Sequence, residues 1–132
     1  VIRNRRGING KNLCIGLISD QSCPVTKDCC WHNFLNHDSL FFDGGEQLAL
    51  KFKLPVYYLE LERIDAGRYR HNYTLIYDGK EEIAPYEITE RYVRCLERTV
   101  EEKPEHWMWS HRRWKSTPTK ESKFYNDYKT VE

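Results

Sequence analysis

The sequence predicts an α/β fold, a mixed sheet with flanking helices, on three observations. Residues 13–18, "LCIGLI", form a short, wholly apolar run that ends in Ser19-Asp20-Gln21. A strand buried on both faces of a parallel sheet has this character. Residues 56–77 hold two runs dense in β-formers around Asp65-Ala66-Gly67, the signature of an antiparallel hairpin. From Glu87 to Lys103 the period becomes helical, with Ile88, Tyr92, Cys95, Leu96, Thr99 and Val100 on one stripe.

The remaining elements fill in around these. Residues 22–39 carry Pro24 and adjacent cysteines, and read as a long loop broken by a short extended piece, "WHNFL". "GGEQLALKFK" sets Leu48, Ala49 and Phe52 on one side of a short helix, and Pro55 opens the next strand. In the hairpin's second arm Tyr69, His71, Tyr73, Leu75 and Tyr77 alternate onto one face before a turn at Asp78-Gly79. On the long helix Glu90 and Arg94 form an i,i+4 pair worth roughly a few tenths of a kcal/mol. Pro104 ends that helix. The order strand, helix, strand, strand, helix implies a right-handed first β-α-β crossover. Residues 1–115 are expected to form the domain and 116–132 a polar tail, whose last stretch, 120–132, is expected to fray.

Bulk properties bound the function. The chain has 132 residues, a net charge of +1 and a mean hydropathy of −0.80. No global field draws it to nucleic acid or anionic lipid, so a charged partner must meet a local cluster. Two such clusters exist, "RNRRG" (Arg3, Arg5, Arg6) and "SHRRWK". The longest apolar run is far too short to span a bilayer. Residue 1 is Val and Met108 is the only methionine, which suggests a portion of a longer protein. The five cysteines lack the spacing of a disulfide framework, so a reducing compartment is expected, with Cys14 and Cys95 as small core residues. Cys23, Cys29, Cys30 and His32 lack the paired hooks of a structural zinc site, and no metal is expected.

Asp20-Gln21 lies where α/β sheets collect ligands, just beyond the carboxyl end of a strand. The same aspartate serves equally well as an acceptor for loop N–H groups. No histidine has a carboxylate at a useful offset, so the general-base machinery is incomplete. The stretch "PEHWMWSHRRWK", residues 104–115, crowds three of four tryptophans against His111, Arg112, Arg113 and Lys115. Such rings either bury beside the long helix with guanidiniums stacked on them, or lie at a membrane–water boundary.

This terminal stretch resembles the closing signature of the bacterial lipid A biosynthesis acyltransferases, the lauroyl/myristoyl branch of the lysophospholipid acyltransferase superfamily. "GLISDQS", "WHNFLNHDSLFFDGGEQLALKFKLPVYYL" and "APYEITERYVRCLERTVEEKPE" are similar to successive segments of that family, so the likeness covers residues 8 to 115. It departs at Asn36, where Gly is commoner, and at Asp43-Gly44-Gly45. The resemblance implies the carboxy-terminal half of a glycerolipid-acyltransferase-like domain, part of an enzyme of lipopolysaccharide biosynthesis. That enzyme moves a fatty acyl chain from acyl carrier protein, or coenzyme A, to a hydroxyl of a lipid A precursor. It needs no other cofactor and works at the cytoplasmic face of the inner membrane. The family's dyad, a His followed after four residues by Asp or Glu, is missing from this sequence. Catalytic residues are therefore expected upstream, and the chain alone is expected to be inactive. The expected substrate contacts are Asp20, Gln21, Arg3, Arg5, Arg6, His111, Arg112 and Arg113, of which the resemblance itself carries over Asp20 and an arginine near the Arg3, Arg5, Arg6 cluster; Trp107, Trp109 and Trp114 are expected at a membrane boundary. The competing expectation is a small non-enzymatic domain that binds anionic lipid or a protein through the Trp/Arg end. Two features carry the acyltransferase picture: residues 13–18 enter a sheet, and the segment around Trp107 packs on the fold.

Overall fold

The fold is given by a computed structural model that describes residues 14–128. It is α/β, built from two antiparallel hairpins and two helices. Strands β1 (Cys29–Phe34) and β2 (His37–Phe42) pair first, followed by helix α1 (Gly44–Phe52). Strands β3 (Val56–Asp65) and β4 (Arg68–Tyr77) form the second hairpin, and helix α2 (Glu87–Glu102) leads to a 3-10 turn at Pro104–His106.

Helix α2 is the platform. Its buried Ile88, Val93, Leu96 and Val100 meet Phe34 and Phe41 from the first hairpin and Tyr58, Ile76 and Tyr77 from the second. Each such side chain contributes about 1.5–3 kcal/mol of apolar burial. Polar clasps fix its position. The Leu35 N–H donates to Glu97 at 2.6 Å, and Arg94 reaches the Asn33 carbonyl. Glu90 accepts from Arg94 and from His32, so the pair legible in the sequence is part of a larger bridge to β1. Tyr58 donates to Thr99 at 2.9 Å and Lys103 meets Glu62 at 2.6 Å, which ties α2 to β3.

The amino end of α2 is capped by another helix. Its N-cap, Tyr86, has φ 64° and makes no side-chain cap bond. Instead the buried Glu46 carboxylate of α1 accepts from the Thr89 N–H at 2.9 Å and the Thr89 hydroxyl at 2.7 Å. A carboxylate there satisfies orphan donors and complements the helix dipole.

Several expectations give way. Residues 14–18 enter no sheet, and Ile15, Leu17 and Ile18 are exposed. A parallel strand needs a strand beside it, and β1–β2 and β3–β4 each close on themselves; no β-α-β crossover occurs among the described residues. Residues 37–39, expected as the end of a loop, open β2, which runs on through residues 40–42, to which the sequence assigns no element. Beyond these expectations, Tyr69, Tyr73 and Leu75 of β4 are exposed, as are Tyr57, Leu59 and Leu61 of β3, whereas Tyr77 at the end of β4 is buried. Cys14 is exposed and Cys95 half-buried, whereas Cys29 and Cys30 are the buried pair. The tail is not frayed as far as Tyr128. The Trp31 N–H donates to the Lys123 carbonyl at 2.8 Å, Phe124 stacks on Trp31, and buried Tyr125 stacks on His32 and donates to Glu87. Aromatic residues at 124, 125 and 128 give this polar tail its anchors.

The interhelix cap gives a test. Glu46→Ala orphans the α2 donors and should cost about 2–4 kcal/mol by urea unfolding at neutral pH. Glu46→Gln keeps an acceptor and should cost less. Burial raises the Glu46 carboxyl above its usual range despite the Thr89 bonds. The native state therefore holds this proton more tightly than the unfolded chain, so wild type should gain stability relative to Glu46→Gln as pH falls from neutral to the ordinary carboxylate range.

Candidate functional site

The terminal motif folds back along β2. After the Pro104–His106 turn, Trp107 lodges half-buried against Phe34, ring centroids 5.8 Å apart. Trp109 closes the turn by donating from Nε1 to the Pro104 carbonyl at 2.6 Å, and the residue is 59% exposed. Trp114 stacks on Phe34 and donates from Nε1 to the Ser39 hydroxyl at 2.7 Å. Of the three tryptophans expected at a membrane boundary, Trp109 and Trp114 are exposed, while Trp107 is half-buried in packing.

Arg113 lies deepest, 3% exposed. Its guanidinium sits 4.3 Å from the Phe41 ring centroid, and Nη2 donates to the Leu40 carbonyl at 2.7 Å. A desolvated cation–π contact contributes about 2 kcal/mol, and the charged hydrogen bond about 1.5–3. No carboxylate of the described residues forms an ion pair with it, and its Nε has no hydrogen-bond partner among them. Burial pulls its pKa down; Cys23, Tyr92 and Asp20 act in the opposite direction. The cavity beside it, lined by Ser22, Cys23, Ser39 and Trp114, measures about 10 Å³. That volume takes one water and no larger ligand. Arg113 therefore contacts protein, and any direct contact with substrate requires this cavity to open. Arg112, by contrast, is exposed.

The loop after residue 18 reaches the same place from the other end of the chain. The Ser22 N–H donates to His111 Nε2 at 3.0 Å. His111 Nε2 is thus the acceptor, and the neutral ring carries its proton on Nδ1. Asp20 is half-buried and Gln21 exposed. The Tyr92 hydroxyl of α2 is pushed up, chiefly by burial and next by the negative charge of Asp20, with Arg113 opposing. Asp20, far from His111 and Arg113 in the sequence, is brought into one neighbourhood with them and Tyr92. Arg3, Arg5 and Arg6 lie outside the described residues.

Sequence reasoning missed Tyr92, Ser39, Leu40 and Phe41 as parts of this site. Tyr92 reads as one more apolar position on the helix stripe, Ser39 falls at the end of the expected loop, and Leu40 and Phe41 lie in the stretch to which the sequence assigns no element. Their one signal is the Leu40-Phe41-Phe42 cluster of large side chains.

A histidine–carboxylate pair does exist in space, at His32 Nδ1 and Glu90, 2.7 Å apart. Its geometry does not suit a general base. Tyr125 covers one face of the ring, Phe41 meets its edge, and Nε2 is buried without a partner among the described residues. Nε2 is closed to solvent, so a hydroxyl does not reach it in this arrangement. A larger cleft of about 270 Å³ alongside is lined by Trp31, Asn33, Glu90, Arg94 and Tyr125, with His32 at its wall. No group of three His, Cys, Asp or Glu side chains suited to a metal occurs among the described residues. Nor is any helix among them long and apolar enough to cross a membrane.

The burial of Arg113 yields an ordering. Arg113→Lys replaces a weakly hydrated fork with a compact ammonium and should cost about 2–4 kcal/mol. Arg113→Met keeps the volume without the charge and should cost less than about 2 kcal/mol. Urea denaturation of both variants checks it; the reverse order would show that charge, not shape, holds the site.

No curated protein and no solved structure is significantly similar to the chain. The family model of bacterial lipid A biosynthesis acyltransferases, however, matches residues 8–116. That span takes in the Asp20 loop, both hairpins, α2 and the whole Trp/Arg motif. It carries a general role in acyl transfer, and by it the chain belongs to the bacterial lipid A biosynthesis acyltransferase family.

Proposed function

We propose that this chain supplies the carboxy-terminal part of an enzyme that transfers a fatty acyl group from acyl carrier protein, or coenzyme A, to a hydroxyl of a lipid A precursor. The observation that carries this reading is the Ser22–His111 bond, which joins the Asp20 loop to the family's terminal motif. In the proposal Asp20 and Gln21 face the reactants, and His111 with Arg113 holds their loop in place. Arg112, Trp109 and Trp114 lie toward the lipid headgroups at the cytoplasmic face of the inner membrane, where an amphipathic ring and a cation are both stable.

The base that takes the hydroxyl proton is placed outside these 132 residues. No histidine here is followed after four residues by an acid, and the His32–Glu90 pair is covered by Tyr125. The exposed apolar surfaces favour a larger domain. Leu17 and Ile18 and the outer face of the β3–β4 hairpin form the kind of surface that the rest of such a domain would cover. The alternative of a non-enzymatic lipid-binding module uses the same Trp/Arg end but gives the Asp20 loop no task.

Two measurements test the proposal. The 132-residue protein alone should not turn over an acyl thioester; turnover would place the base within it. In the full-length enzyme Asp20→Ala should lower kcat at least tenfold while stability stays within about 0.5 kcal/mol. An unchanged rate removes Asp20 from the reaction.

A further inference from the structure

We propose that Cys23 and Cys29 are a site of reversible thiol oxidation, closing to a disulfide on reaction with a low-molecular-weight disulfide such as oxidised glutathione and so clamping the Asp20 loop onto β1. The inference is independent of the acyl-transfer reading. The two Sγ atoms lie 3.6 Å apart. Closure to a bonded distance requires a shift of about 1.5 Å. The intervening residues can supply it: residues 24–27 are exposed and hold no strand or helix.

Neighbouring groups favour this pairing over others. Cys29 opens β1, donates to the Pro24 carbonyl at 3.4 Å and contacts the Thr26 hydroxyl at 3.2 Å, so its sulfur faces the loop. Cys30 is the next residue along the strand and so points to the opposite face, with its Sγ at 3.5 Å from the Lys123 carbonyl. Cys23 is the more accessible of the pair and is the sulfur that a small disulfide meets first.

The step balances. The Cys23 thiolate attacks one sulfur of the small disulfide and releases one small thiol. The Cys29 thiolate then attacks Cys23 Sγ in the mixed disulfide and releases the second. Two protein thiols are oxidised, two small thiols are formed, and both protons end on the small thiols. Burial, with Cys29 beside it and Arg113 opposing, pushes the Cys23 thiol up to about 12. Thiolate is therefore scarce at neutral pH and exchange is slow, so the reaction is best followed at mildly alkaline pH. The consequence reaches the site because Cys23 adjoins Ser22, whose N–H holds His111.

The reduced 132-residue protein, incubated with oxidised glutathione, should lose two hydrogens in intact mass and two of its five thiols, counted after denaturation. Trypsin cleaves after Lys27, so a non-reduced digest should contain residues 12–27 linked to residues 28–51, and reductant should separate them. Cys14→Ser should keep the link and Cys23→Ser should abolish it. Should Cys23→Ser not fold, fragmentation of the wild-type linked peptide locates the sulfurs directly; Cys23–Cys29 supports the proposal. A link through Cys14 or Cys30, a stable glutathione adduct without closure, or unchanged thiols would overturn it.

Discussion

A buried guanidinium that pairs with no carboxylate among the described residues is the constraint around which this structure is arranged. Arg113 sheds most of its water and receives an aromatic face, one carbonyl and the remote charge of Asp20 in return. Only a planar, weakly hydrated cation accepts that exchange. To offer it, β2 must expose the Leu40 carbonyl and present Phe41, and α2 must hold Phe41 from behind. The terminal motif must also bend at Pro104 so that Trp107 and Trp114 bracket Phe34. The motif's density of rings and cations follows from this, since the rings desolvate the one cation that goes inside and leave Arg112 and Lys115 at the surface.

Helix α2 does the corresponding work on the other side. Its apolar stripe holds both hairpins, its amino end is capped by Glu46 from α1, and its acidic residues reach back to β1. The same helix shows why proximity of a histidine to a carboxylate is not evidence of catalysis. His32 and Glu90 have the contact of a base and its orienting acid, yet the ring is roofed by Tyr125 and its free nitrogen faces protein. Access, not pairing, separates the two roles.

What was legible in the sequence follows the strength of local signals. Both helices and the β3–β4 hairpin were readable because a 3.6-residue stripe and an Asp-Ala-Gly turn are local features. Strand β2 was not, because its turn, Leu35-Asn36, has positive φ at both positions (53° and 60°) without the glycine that usually marks it. The Leu35 strain is offset by its N–H bond to Glu97, a partner 62 residues away that no local pattern announces. "LCIGLI" misled for the opposite reason: its composition suits a buried strand, but a strand is made by its neighbours, and none pairs with it among the described residues. That failed expectation does not undo the family assignment, which rests on the residue pattern over 8–116. The packing of Trp107, its companion expectation, does hold. Of the site, Asp20, His111 and Arg113 were visible as residue types, whereas their convergence with Tyr92 was not.

The central claim is that Arg113 and Phe41 are coupled through a desolvated face-on contact that seats the terminal motif. A double-mutant cycle with Arg113→Met and Phe41→Leu, followed by urea unfolding, measures it most directly. The account predicts a coupling energy of about 1–2 kcal/mol. Additive effects of the two substitutions would contradict it.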